Sequence, residues 1–180
     1  MMDLTRFFTK VTNRRKPSIL REWAEKFLRS RNTISLANGM PNAETFPIEE
    51  ISVTYKGDTR IKLVGEELCS ALQYGPSQGY TPLLKEMRAF QEYWHKPVQN
   101  YWDVLVTAGS MEGCSKVFDM TLEIGDPVMV QMPAYDGVLK ALTPLMPDFI
   151  GIVQDEDGII PEEIMKICEE RLRDGKAMPK

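Results

Sequence analysis

Residues 104–135 read VLVTAGSMEGCSKVFDMTLEIGDPVMVQMPAY. Val104-Leu105-Val106 is a short unbroken apolar run, and Met111 to Leu122 then changes to helical spacing. Gly125-Asp126-Pro127 is a turn, Val128 to Met132 a second apolar run, and Ala134 to Leu145 a second helical pattern. Unbroken rather than alternating strands point to a sheet covered on both faces. Downstream, Phe149 to Val153 reads as a third strand and Asp157-Gly158 as a turn. Pro161 opens a helix that places Ile164, Met165, Cys168 and Leu172 inward. Three strands alternating with three helices predict an α/β fold with a mainly parallel sheet and flanking helices. Nothing after the last helix returns to the sheet, so the sheet is expected to be incomplete and the sequence a fragment.

Upstream, residues 1–32 read as an arm with one helix. Pro17-Ser18 opens it, and Leu20, Trp23, Phe27 and Leu28 recur at helical spacing. A short apolar stretch at 34–37 leads into a turn, Asn38-Gly39-Met40-Pro41-Asn42. Phe46-Pro47 begins an irregular stretch with a further turn at Lys56-Gly57-Asp58. Residues 66–74 look helical and end at Gly75-Pro76-Ser77-Gln78-Gly79. In the next helix Thr81 is the expected N-cap and Pro82 the first helical residue, with Leu83, Met87, Phe90 and Trp94 on one face.

The composition excludes several classes. A formal net charge of -4 argues against a general nucleic-acid binder, which needs clustered positive charge. No apolar run approaches the ~20 residues that span a bilayer. The 3 cysteines, Cys69, Cys114 and Cys168, are far apart without a C-x-x-C, so neither a disulfide framework nor a zinc site is expected. His95, the 1 histidine, suits the end of a helix. The basic, acid-poor start resembles a short organelle-targeting leader, and the acidic end (Asp155 to Glu170) reads as a solvated face. A reducing interior compartment, cytoplasm or mitochondrial matrix, is expected.

Thr107-Ala108-Gly109-Ser110-Met111 joins the first strand to a helix. Ligands in open α/β sheets sit at the carboxyl ends of strands. A glycine before a helix lets its backbone approach a ligand, and the first-turn amides present the positive end of the helix dipole. A phosphate dianion fits such a turn, as does an ordinary strand-to-helix junction with Ser110 as N-cap. Neither the P-loop nor the three-glycine dinucleotide fingerprint is present, and Gln131 stands near where the ribose-binding acid would be. Tyr135, at the end of the second strand, brings an aromatic ring to the same sheet edge if the strands are neighbours; a flat ring cofactor could lie against it.

T-A-G-S-M-E-G at 107–113, G-D-P-V-M-V-Q-M-P-A-Y at 125–135 and Y-G-P-S-Q-G at 74–79 together resemble the fold-type I aminotransferases. The kynurenine/α-aminoadipate aminotransferase branch also shows segments similar to 34–42 and to Pro17-Ser18-Ile19-Leu20-Arg21. The resemblance covers essentially the whole chain, in order, and implies the amino-terminal part of the PLP-dependent transferase fold. Residues 1–65 would form an arm and a small-domain contribution, and 66–180 the first part of the large cofactor-binding domain. The implied cofactor is pyridoxal 5'-phosphate. Ser110, with the backbone of Gly109 and Met111, would hold its phosphate, and Tyr135 would stack on its ring. Tyr74 would reach the phosphate of the partner subunit in a homodimer. Gly39 would lie over the substrate and Arg21 would meet its carboxylate, for which a planar guanidinium is suited.

The implied reaction moves an amino group from kynurenine, 2-aminoadipate or a similar amino acid to a 2-oxo acid such as 2-oxoglutarate. It needs a Schiff-base lysine, which in this family lies beyond residue 180; Lys116 and Lys140 lack its serine-rich context, so no catalytic residue is assigned. Met111 and Glu112 stand where the family commonly has polar amides, and Glu112 places a negative charge within a turn of the phosphate. Asn38 replaces a usual glycine beside Gly39. Two other classes remain open: a non-catalytic dimerising or regulatory fragment, and a nucleotide-binding α/β enzyme using Gly109 to Gly113.

Overall fold

A computed structural model describes residues 3–28, 34, 39–98 and 101–180. In chain order it has α1 (Lys10–Arg14), α2 (Ile19–Leu28), β1 (Ile51–Thr54), β2 (Arg60–Leu63), α3 (Gly65–Leu72) and α4 (Thr81–His95). Then follow α5 (Ser110–Thr121), β3 (Pro127–Met132), α6 (Asp136–Leu142), β4 (Asp148–Asp155), β5 (Gly158–Ile159) and α7 (Pro161–Arg173). The expected apolar stretch at 35–37 and Asn38 lie outside the described residues. Among the described residues no helix is long and apolar enough to cross a membrane.

The chain divides into two compact units, 1–16 with 107–180, and 17–106. In the first, β3 and β4 pair in parallel from Pro127 opposite Asp148 to Met132 opposite Val153, and α6 makes the crossover. β5 then pairs antiparallel with the end of β4 across the Asp157-Gly158 turn. The sheet is therefore parallel where a helix connects its strands and antiparallel where a tight turn does. Leu122, Val128 and Leu142 form the buried cluster, with Phe118, Val130, Val138 and Leu145 packed around it. Ile152 is buried on β4.

Residues 8–10 tie into the far end of α5. Thr9 is 2% exposed; its amide donates to the Met120 carbonyl (2.9 Å) and its hydroxyl to the Asp119 carbonyl (3.1 Å). The same oxygen accepts from the Thr12 amide, capping α1. These bonds satisfy carbonyls that the last turn of a helix leaves without intrahelical partners.

The second unit holds the β1–β2 hairpin, from Ile51 opposite Leu63 to Thr54 opposite Arg60. The turn at Lys56-Gly57-Asp58 is as expected, but the irregular stretch around it is a hairpin. Its strands are short and mostly exposed, so they lack the apolar run that marks a buried strand. Gly79 has φ +131°, and a Cβ on it would lie 2.8 Å from Val106 Cγ2. The last glycine of Y-G-P-S-Q-G is thus required by the close approach of Val106, whose amide donates to the Gln78 carbonyl at 2.8 Å. Among the described residues Val104 to Val106 forms no strand, since that one bond does not amount to a ladder.

Other boundaries move by a residue or two. Gly109, not Ser110, caps α5, and Tyr80, not Thr81, caps α4. The helix expected at 134–145 is α6 followed by a 3-10 turn over Thr143–Leu145. On α7, Ile164 and Cys168 are half-buried, while Met165 and Leu172 are 61% and 72% exposed. The inward stripe instead runs through Glu163, Ile164, Ile167, Cys168 and Arg171, and Arg171 pairs with Asp148 on β4 at 2.8 Å. On α4, the predicted apolar row is exposed throughout. Leu20 and Trp23 of α2 are exposed as well, while the side chains of Phe27 and Leu28 lie outside the described residues.

Candidate functional site

The turn before α5 has the free donors that the sequence leads one to expect. The first bond of the helix runs from the Gly113 amide to the Gly109 carbonyl, 3.2 Å. The amides of Ser110, Met111 and Glu112 precede it and have no intrahelical acceptor. Gly109 has extended backbone, and nothing lies within 4 Å of where its Cβ would be. Ser110 is exposed, with its hydroxyl at the first helical position. The Thr107 hydroxyl donates to the Gly109 carbonyl (2.9 Å), bracing the turn from behind.

Glu112 faces this turn rather than away from it. One carboxylate oxygen accepts from the Ala108 amide, and the other lies 3.1 Å from Lys116 Nζ. The Ala108 bond first, and Lys116 second, hold its carboxyl below the usual glutamate range, so it is ionised at neutral pH. The acid three residues after the cap is the signal a capping box gives in sequence.

Tyr135 caps α6 just beyond the cis Met132–Pro133 peptide. Tyr135 is 71% exposed, and its ring lies over Gly137, where a Cβ would come 2.8 Å from Cζ. Beside it a cavity of about 400 Å³ is lined by Phe118, Val128, Val130, Pro133, Tyr135 and Leu142 among others. Gly109, Ser110 and Met111 are not in that lining. Because α5 packs against α6, the Gly109 turn and Tyr135 open two neighbouring helices of one unit.

The turn fits a phosphate group: three uncovered amides, a hydroxyl, an open approach over a glycine, and the positive end of a 12-residue helix. The exposed ring at the next strand end fits a flat heterocycle.

The other candidate residues belong to the second unit. Arg21 is exposed on α2. Tyr74 is 65% exposed just after α3, and Gly39 is exposed; 39–42, where the sequence predicts a turn, has no assigned turn. Gln73 Nε2 donates to the Pro41 carbonyl at 2.9 Å, which ties the 39–42 segment to the residue before Tyr74. Among the described residues no group of three His, Cys, Asp or Glu could hold a metal ion. Three contributors escaped sequence reasoning: Thr107, Gly137 and the inward carboxylate of Glu112. Only Glu112 had a signal, its spacing from Gly109.

No family model matches the chain. Over 187 residues it is 35% identical to the mitochondrial kynurenine/alpha-aminoadipate aminotransferase of Bos taurus, covering 99% of this chain and 44% of that protein. Its fold is similar to that of an aminotransferase from Candida albicans, with a TM-score of 0.81 at 22% identity over 93% of this chain and 40% of that one. A kynurenine aminotransferase from Pyrococcus horikoshii, solved with PMP and kynurenine, matches with a TM-score of 0.59 at 26% identity. That match covers 98% of this chain and 42% of the other. The chain thus spans about two fifths of the length of these relatives. With sequence identity along its whole length and a shared fold, the chain belongs to the fold-type I, pyridoxal-phosphate-dependent aminotransferase family.

Proposed function

We propose that the complete protein is a pyridoxal-phosphate-dependent aminotransferase. It moves an amino group from kynurenine, 2-aminoadipate or a similar amino acid to a 2-oxo acid such as 2-oxoglutarate. The observation that carries this reading is the glycine-opened turn before α5, with its uncovered amides, on a helix that packs against the one Tyr135 opens. The donor class is supported by the bovine and Pyrococcus relatives, whose names state kynurenine or α-aminoadipate.

Bound pyridoxal phosphate supplies the electron sink for amino-group exchange. Ser110 donates its hydroxyl and amide to the phosphate, and Met111 its amide. Gly109 keeps that face uncovered, and Thr107 holds the turn in shape. Tyr135 supports one face of the pyridine ring. Tyr74 reaches the phosphate held by the other subunit of a homodimer. Arg21 binds the substrate carboxylate through its planar fork, and Gly39 leaves room for the substrate backbone. Residues 1–65 then act as arm and small-domain contribution, and 66–180 as the first part of the large domain. The 180 residues hold cofactor and substrate but transfer no amino group by themselves, since neither Lys116 nor Lys140 has the context of the cofactor-bearing lysine. A mitochondrial matrix location agrees with the bovine relative.

The test is glutamate formation from 2-oxoglutarate by the complete protein, with each donor in turn. Transfer from kynurenine or 2-aminoadipate, and cofactor retention weakened by Ser110→Ala, are the expected outcomes. A complete protein that retains the cofactor yet transfers from neither overturns the donor class. One that does not retain the cofactor overturns the whole reading.

A further inference from the structure

We infer that Glu112 is an internal competitor for the cofactor phosphate, so that this chain trades phosphate affinity for a self-capped turn. The inference rests on the cofactor reading above and goes further than it by naming the residue that sets the affinity. A carboxylate and a phosphate want the same thing from a helix N-terminus: amide donors and the positive end of the dipole. Glu112 already takes that role. One of its oxygens accepts from the Ala108 amide, one residue ahead of Gly109. The other faces Lys116, one turn on, at 3.1 Å.

The carboxylate is therefore held on the first turn of α5, between the Ala108 amide and the Lys116 ammonium. A phosphate arriving at the amides of Ser110 and Met111 meets a fixed negative charge on the same first turn. Either the carboxylate leaves Ala108 or the two anions share the dipole, and both weaken binding. Lys116 moderates this effect, because its ammonium offsets part of the charge. The Glu112 side chain is 40% exposed and Lys116 55%, so water screens the repulsion and it reduces binding without abolishing it.

The experiment uses the chain itself with pyridoxamine 5'-phosphate, which needs no lysine to bind, and with pyridoxamine, which lacks the phosphate. Glu112→Gln keeps the side chain's shape and its capacity to accept from Ala108 while removing the charge. It should bind pyridoxamine 5'-phosphate about five- to tenfold more tightly, as expected for one unit of charge removed near a screened dianion. Pyridoxamine binding should not change. Lys116→Met should weaken pyridoxamine 5'-phosphate binding about threefold and lose that effect in the double variant. Circular dichroism checks that each variant is folded, and the Lys116 arm stands alone if Glu112→Gln does not fold.

Equal or weaker binding of pyridoxamine 5'-phosphate by folded Glu112→Gln overturns the inference and leaves Glu112 a simple helix cap. An equal gain for pyridoxamine overturns it too, because the effect would then not act on the phosphate. No binding to any folded variant overturns the cofactor reading, and the role of Glu112 falls with it.

Discussion

Gly137→Ala is a small change with two opposed effects on stability and one clear effect on the cofactor. The new Cβ would lie 2.8 Å from Tyr135 Cζ and 3.1 Å from Cδ1, and closer still to Cε1. The ring has to turn away. Tyr135 is 71% exposed, so the ring has room, and an off-rotamer side chain costs about 0.5–1.5 kcal/mol. Against that, alanine in place of glycine favours a helix by up to ~1 kcal/mol. The two nearly cancel, so stability should stay within ~1 kcal/mol of the parent in a denaturant titration. Ring stacking is another matter. An aromatic pair is worth about 0.5–1.5 kcal/mol, so moving the ring should weaken pyridoxamine 5'-phosphate binding about two- to tenfold. Tyr135→Ala should cost a similar factor, and the double variant no more than Tyr135→Ala alone. If Gly137→Ala binds like the parent while Tyr135→Ala does not, the ring can serve the cofactor without resting on Gly137. If Tyr135→Ala also binds like the parent, Tyr135 does not stack on the cofactor.

Three further outcomes test the framework that carries the site. Gly79→Ala should destabilise the chain by about 1–3 kcal/mol in urea, since its Cβ would overlap Val106 at a φ of +131°, and the smaller Val106→Ala should relieve part of that cost. Thr9→Val removes the hydroxyl that donates to Asp119 and caps Thr12; it should cost about 1–2 kcal/mol, with Thr9→Ser restoring most of it, and equal stability of Val and Thr would show that the arm does not depend on those bonds. Asp126 loses solvation on burial, but Lys180 at 2.7 Å and the Glu123 amide more than compensate and lower its pKa. A depressed carboxylate contributes stability above its unfolded pKa near 4, lost as pH falls through the lower folded value, so Asp126→Asn should flatten the acid limb of a stability-versus-pH curve.

Much of the fold was legible because it rests on local signals. The strands at 127–132 and 148–155 are apolar runs bounded by turn residues, and Asp157-Gly158 and Gly57-Asp58 turn where Gly and Asp say they should. What failed depends on partners distant in sequence. Val104-Leu105-Val106 has the composition of a strand, yet a strand exists only through its neighbour, and among the described residues its one backbone-to-backbone bond is to Gln78. The face of α7 was misjudged for a similar reason. Periodicity located a stripe, but the inward face also takes in Ile167 and Arg171, which pairs with Asp148, and nothing local announces that pairing.

The candidate site shows the same split. The glycine-opened helix start, the candidate phosphate turn, was visible because glycine, serine and a helix start lie within three residues. The place of Glu112 was visible only as a concern, since sequence gives the charge but not the direction in which the carboxylate folds. Its direction matters for function. Pointing outward, Glu112 would be a solvated acid with little effect on a ligand. Bonded to Ala108, it holds a negative charge on the first turn of α5, next to the amides proposed for the phosphate. The family fold leaves open how tightly the turn would hold a cofactor phosphate, and on the inference above the orientation of one side chain sets that affinity.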